Sequence, residues 1–207
     1  GLAWGQCNDF GNIVPTPAQS SANPSPLGTL VTVNYEFGAN DVNDIEPLQV
    51  FDVTNNLGAT SVFKVALDCT TSQTEANRRA CLEFPGNDGS AGDDGDAIRY
   101  AGNFSFGPVA GDACTGVTFA SNGVNGNPLP NVLEFVTDSR VEFNTNERCF
   151  VEFDVEIFGI GNTPEPGLDY QAINASAGFE GECNPVSGAS SVKSLIYYVD
   201  LPREIQI

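Results

Sequence analysis

One acidic stretch has the composition of a metal-binding loop. Residues 87–97 read NDGSAGDDGDA, with four aspartates within nine residues and glycines between them. Ca²⁺ takes six to eight oxygen ligands in flexible geometry, and Asp- and Gly-rich loops supply both carboxylates and carbonyls. Because the spacing does not match an EF-hand, a surface hairpin loop without metal is the alternative. Calcium is the only cofactor we expect, and its candidate ligands are Asp88, Asp93, Asp94 and Asp96.

A second group of carboxylates lies on one predicted strand. Glu152, Asp154 and Glu156 alternate with apolar residues in RCFVEFDVEIFGI, so they share one face of that strand. Paired carboxylates can hydrolyse glycosides, but three alternating acids on a strand are typical of a solvated face. The chain has no histidine, which removes the commonest general base and the Ser-His-Asp triad. We therefore expect no enzymatic activity, with a carboxylate-based hydrolase as the alternative.

The cysteines favour disulfides over metal binding. They are widely spaced, without a C-x-x-C pair, whereas a zinc site needs clustered Cys or His ligands. An even number of separated cysteines predicts three disulfides formed in an oxidising compartment. Sequence alone leaves the pairing open, apart from a predicted local bridge between Cys69 and Cys81. The six are Cys7, Cys69, Cys81, Cys114, Cys149 and Cys183.

The net charge and the first residues of the sequence indicate the classes of partner and the location of the protein. With 27 acidic against 8 basic residues, the net charge is −19, which disfavours nucleic acids and anionic membranes as partners. The sequence has no apolar run long enough for a transmembrane helix. It begins at Gly1 and has no methionine, which suggests a removed signal peptide. We expect a secreted protein, extracellular or on the cell surface.

Alternation of apolar and polar residues predicts strands throughout the body of the chain. Residues 27–37, LGTLVTVNYEF, and residues 148–160 are the clearest examples. Two further strands, residues 47–55 and 59–69, are joined by NNLG, which indicates a short turn. The 22 glycines and 13 prolines punctuate these runs. The pattern predicts an all-β antiparallel sandwich, Ig-like or jelly-roll-like, with about ten strands and long loops.

Two regions are expected along the chain. Residues 1–26 form an extended N-terminal segment followed by a Pro-rich linker, residues 15–26, that separates the tip from the body. Residues 27–207 form a single sandwich domain, with a division near residues 107–111 as the alternative.

The N-terminal tip carries the only tryptophan. Leu2 and Trp4 have the i, i+2 spacing that places both side chains on one face of a strand. We expect residues 1–14 to dock as an extended segment into a neighbouring subunit, where Cys7 would lock it. The alternative is that the tip pairs with its own sandwich.

A short internal stretch resembles a known family. Residues 46–67, EPLQVFDVTNNLGATSVFKVAL, resemble a strand–Asn-Gly–strand pattern of secreted microbial matrix-fibre subunits of the TasA and camelysin kind. The resemblance implies a β-sandwich subunit of an extracellular fibre, assembled by strand exchange and without catalytic residues.

Two functions follow from these patterns. The first is a secreted structural subunit of a filament, pilus or surface assembly that forms a homopolymer by strand exchange. The second is an extracellular adhesion module for carbohydrate or another surface, calcium-dependent or not. Its loops would act together with Tyr100, Tyr170, Tyr197 and Tyr198, of which the adjacent last two must point to opposite faces. Two sequons, at Asn103 and Asn174, are candidate glycosylation sites.

Overall fold

The computed structural model describes eleven strands and no helix within residues 9–39, 48–51, 62–69, 97–125, 132–139, 141–144, 146–161, 165–183 and 186–201. In chain order the strands are β1 (Asp9–Thr16), β2 (Leu30–Ala39), β3 (Leu48–Phe51), β4 (Val62–Cys69), β5 (Ile98–Ala110), β6 (Phe119–Asn125), β7 (Val132–Thr137), β8 (Glu142–Phe143), β9 (Arg148–Ile157), β10 (Tyr170–Cys183) and β11 (Val186–Asp200). Within these ranges nothing qualifies as a membrane-spanning helix.

The strands form two antiparallel sheets. The first sheet has four strands in the order β1-β2-β9-β5. The second has seven: β6-β7-β4-β10-β3-β8 form one path, and β11 pairs with β10. The predicted all-β sandwich is therefore confirmed.

Alternation determines which side chains enter the space between the sheets. In β9, each second residue from Cys149 to Ile157 is buried, and the residues between them are only partly covered. The neighbouring strand β2 of the same sheet buries Val31, Val33, Tyr35 and Phe37 in the same way. Because successive side chains of a strand point to opposite faces, this period of two gives the first sheet one apolar and one polar face.

Aromatic rings join the two sheets across the core. Phe37 of β2 lies 4.4 Å from Phe63 of β4, between ring centroids. Phe153 of β9 lies 5.5 Å from Phe135 of β7, and Phe135 stacks on Phe104 of β5 at 4.9 Å. These contacts hold the sheets face to face, since aromatic pairs add to the free energy of burial.

A disulfide ties a loop to the central strand β9. It joins Cys114 to the buried Cys149, with 6.1 Å between the two Cα atoms. The expected Cys69–Cys81 bridge involves a residue outside the described part of the chain. Cys7 also lies outside the described residues. The Cys69–Cys81 bridge and the pairing of Cys7 therefore stay predictions.

The two described strands of the stretch that resembles the fibre subunits, β3 and β4, do not pair with each other. β3 and β4 pair with the same edge of β10, where Phe51 lies opposite Glu180 and Lys64 opposite Gly178. The two strands therefore run end to end in the same direction. β3 pairs in addition with β8, and β4 with β7. The predicted short turn, residues 55–58, lies outside the described residues.

Candidate functional site

The N-terminal part of the chain supplies an edge strand of the first sheet. All eight residues of β1 pair with β2, from Asp9 opposite Ala39 to Thr16 opposite Thr32. Because β1 stands at the end of the order β1-β2-β9-β5, it has a hydrogen-bonded neighbour on one side only. Residues 9–14, expected to dock into a neighbouring subunit, thus pair with their own sandwich in the single chain. Leu2, Trp4 and Cys7 lie outside the described residues.

β1 is attached mainly through its backbone. Of the described side chains, residues 11–16, only Ile13 packs against the core cluster. Asn12, Val14 and Thr16 are exposed, Val14 by 46%. Pro15 has no N–H and is tolerated because an edge strand has a side without a partner. Because β1 makes a continuous backbone ladder and only one of its described side chains packs against the core, an identical strand from another chain can replace it.

Residues 17–26, named the strap, connect the edges of the two sheets. The Ser25 N–H donates to the Tyr198 carbonyl at 2.7 Å, and the Asp200 N–H donates to the Ser25 carbonyl at 2.8 Å. Ser25 thus forms a parallel bridge to β11, and only 8% of it is exposed. The sequence predicts residues 15–26 as a linker that separates the tip from the body, and in the structure the strap part of this stretch is hydrogen-bonded to β11.

The Gln19 side chain completes this attachment. Its amide oxygen accepts a hydrogen bond from the Tyr198 N–H at 3.3 Å. Its amide nitrogen donates to the Pro17 carbonyl at 3.1 Å and to the Ser25 hydroxyl at 3.3 Å. The side-chain amide therefore occupies the place of a neighbouring strand. Open backbone groups at a sheet edge invite association, and Gln19 and Ser25 satisfy those of β11 at these positions.

The opposite edge of the first sheet has an irregular ladder. β5 shifts its register on β9 three times, between Tyr100 and Gly102, between Gly102 and Ser105, and between Pro108 and Ala110. Gly102 has a φ of 91° and Asn103 a φ of 55°. Bulges twist an edge away from a flat template and disfavour strand addition. Of the two edges of this sheet, β1 is the regular one.

The predicted acidic face is confirmed as the outer face of the first sheet, where each carboxylate has a partner. Thr32 donates to Asp154 at 2.7 Å, and Asn34 donates to Glu152 at 3.0 Å. Arg99 forms a salt bridge of 2.8 Å with Glu156. Such cross-strand pairs stabilise a sheet, and they give these three acids a structural role.

The four tyrosines considered for binding lie in different surroundings. Tyr197 is in the core, where burial raises the pKa of its hydroxyl far above the usual range. Tyr100 packs on Phe153 at 6.2 Å, and burial, followed by the Asp154 charge, raises its pKa. Only Tyr170 and Tyr198 lie together, with ring centroids 5.5 Å apart. As expected, the adjacent Tyr197 and Tyr198 point to opposite faces.

The predicted calcium ligands Asp88, Asp93, Asp94 and Asp96 fall outside the described residues. Within the described ranges, no three Asp, Glu or Cys side chains are grouped to hold a metal ion.

The sequence patterns do not single out Gln19 and Ser25, the two residues that attach the strap to β11. A usable signal was Pro24-Ser25-Pro26, because a residue before proline favours extended backbone and Ser25 is held extended beside β11.

Comparison with known proteins gives no family. No family model and no curated protein matches the chain. Among solved structures, one described as "AvmM Catalyzes Macrocyclization in Alchivemycin A Biosynthesis" has a TM-score of 0.39 and 7% identity, covering 95% of this chain and 91% of that one. The collagen adhesin CNA of S. aureus has a TM-score of 0.25 and 8% identity, covering 92% of each chain. Scores below 0.5 do not establish a common fold, so neither likeness bears on what this chain does.

Proposed function

We propose that this chain is a secreted structural subunit of an extracellular filament or pilus, whose subunits join by exchange of the N-terminal strand. One observation carries the proposal: β1 is a complete edge strand at the N-terminal end, paired over eight residues with β2. The resemblance to TasA- and camelysin-like fibre subunits points to the same assembly. The disulfide of Cys114 and Cys149 supports an oxidising, extracellular location.

In the exchanged form, β1 of one subunit pairs with β2 of the next in the same register. The strap stays on its own β11 through Gln19 and Ser25, so the chain changes direction between Thr16 and Gln19. Every backbone bond and the burial of Ile13 are remade in the neighbour, and domain swapping of this kind costs little free energy. Because each subunit donates at one place and accepts at another, the contact is heterologous. Such a contact forms a ring if the rotation between subunits closes and an open polymer if it does not, and the filament is the open case.

Residues 1–8 would then extend the donated strand beyond Asp9. Leu2 and Trp4 would add apolar contact area to the neighbouring subunit, and Cys7 would lock the joint. The net charge of −19 keeps unassembled subunits apart until strand pairing occurs.

Removal of β1 tests this proposal. A variant lacking residues 1–16 is expected to remain monomeric in light scattering and negative-stain microscopy, and to bind a synthetic peptide of residues 1–16. The matched control is the same peptide with Ile13→Asp, which keeps the backbone ladder but places a charge against the apolar core. We expect it to bind at least tenfold more weakly, since burying an unpaired charge costs more than about 1.4 kcal/mol. Filaments formed by the truncated variant, or equal binding of both peptides, would refute the proposal.

An extracellular adhesion module is the second candidate. The observation in its favour is the Tyr170–Tyr198 pair, because partly covered aromatic rings are suited to stacking on sugar rings or apolar ligands. A protein that stays monomeric and binds immobilised glycans through this pair would support it over the filament.

A further inference from the structure

The two sequons occupy very different places in the fold. Asn174 lies in the middle of β10, between Cys69 of β4 and Ile196 of β11, and is partly covered. Ser176, the hydroxyl residue of that sequon, is only 2% exposed. Asn103 and Ser105 are both exposed on the edge strand β5. Only the sequon at Asn103 presents both of its recognised side chains to an external molecule.

The bulge in β5 explains how Asn103 becomes accessible. Gly102 lies opposite Asp154 and Ser105 opposite Glu152, so two residues of β5, Asn103 and Phe104, span the length of one residue of β9. Phe104 turns inward and contacts Phe119 at 5.1 Å and Phe135 at 4.9 Å. Phe104 is therefore partly buried against the core, whereas the neighbouring Asn103 is exposed.

The surroundings of Asn103 are open. A Cβ atom built on the preceding Gly102 would meet no other atom within 4 Å. The φ of 55° at Asn103 is in the left-handed region, which asparagine tolerates better than most residues. Its side-chain nitrogen donates one hydrogen bond, to Asp154, and a primary amide has two N–H groups. One N–H is therefore available for substitution while the other keeps the Asp154 contact.

We propose that Asn103 is an N-glycosylation site of this protein and that Asn174 is not. The donor is a lipid-linked oligosaccharide presented by a transferase. The bond between Nδ2 and the anomeric carbon forms, the bond from that carbon to the lipid phosphate breaks, and the amide proton passes to a base of the transferase. The lipid phosphate leaves, and no oxidant or reductant is needed.

A glycan at Asn103 covers the β5 edge. An attached sugar prevents another strand from approaching there, which leaves β1 as the regular edge of the first sheet for assembly. The modification rests on the secretion part of the proposed function but not on strand exchange.

Peptide mass spectrometry of protein purified from the cells that make it tests the assignment. The disulfide between Cys114 and Cys149 is first reduced and the thiols are alkylated, because it would otherwise join the two peptides of interest. Trypsin then cleaves after Arg99, Arg140, Arg148 and Lys193, so the sequons fall on two separate peptides, residues 100–140 and 149–193. We expect a sugar mass on the first peptide only, and its complete loss in Ser105→Ala, which leaves Asn103 and its hydrogen bond in place. An unmodified Asn103, or a sugar on Asn174, would overturn the assignment. Because filaments are scored separately by microscopy, an unmodified chain that still assembles refutes the glycan and not the filament.

Discussion

Phe153→Ala is expected to lower the free energy of unfolding by about 4 kcal/mol, the typical cost of removing a fully buried aromatic ring. Phe153 is 0% exposed on β9, which pairs with β2 on one side and β5 on the other. Its ring lies between Tyr100, at 6.2 Å, and Phe135 of the second sheet, at 5.5 Å. Alanine leaves a cavity between the sheets that neighbouring strands cannot close, because both are fixed by their own ladders.

Phe158→Ala is the matched control, since it makes the same chemical change just beyond the end of β9. Phe158 is 38% exposed. The Arg99 guanidinium carbon lies 5.0 Å from the centroid of the Phe158 ring. We expect a loss of about 1 kcal/mol, the cation–π contact included. Urea denaturation of both variants measures the difference. Equal losses would show that the sheets do not enclose Phe153 as described.

Replacing Cys114 and Cys149 with alanine is expected to cost about 4 kcal/mol. The bridge closes a loop with a sequence separation of 35 residues, and in the chain-entropy model a loop of this size contributes about that amount. For a protein of this length, the melting temperature should fall by about 10 °C.

Calorimetry of the double variant under non-reducing conditions checks this value. The single variants Cys114→Ala and Cys149→Ala are the controls, because each also removes the bridge and leaves one thiol. Since Cys149 is 0% exposed, no variant changes the surface of β9. A double variant as stable as the original chain would contradict a structural role for the bridge.

The strands that alternate most regularly could be predicted from the sequence. β2 and β9 place large apolar residues at every second position, so their buried and outer faces follow from the order of residues alone. The outer position of Glu152, Asp154 and Glu156 follows from the same period. Their partners do not, because Thr32 and Asp154 are 122 residues apart and only the sheet order brings them together.

β1 and the strap have only weak signals in the sequence. The strand DFGNIVPT contains Gly11 and Pro15, both of which count against a strand, and only Ile13 of its described side chains reaches the core. Its pairing depends on the free edge of β2, which is a property of the assembled sheet. The strap is held by Gln19 and Ser25, whose polar side chains give no periodic signal.

Strand exchange between subunits is tested most directly by a cross-link across the β1–β2 pair. Asn12 and Glu36 lie opposite each other on the outer face of the first sheet. One preparation carries Asn12→Cys and a second carries Glu36→Cys. After joint assembly and mild oxidation, a disulfide between positions 12 and 36 can form only between different chains.

The control mixture combines Asn12→Cys with Thr32→Cys, a position displaced by four residues, or about 13 Å along β2. Strand exchange in the observed register predicts a covalent dimer in the first mixture, identified by mass spectrometry as a 12–36 linked peptide, and little in the control. The account would be contradicted if the first mixture gave no 12–36 peptide while a single chain carrying both Asn12→Cys and Glu36→Cys cross-linked within itself, because β1 would then stay on its own sandwich.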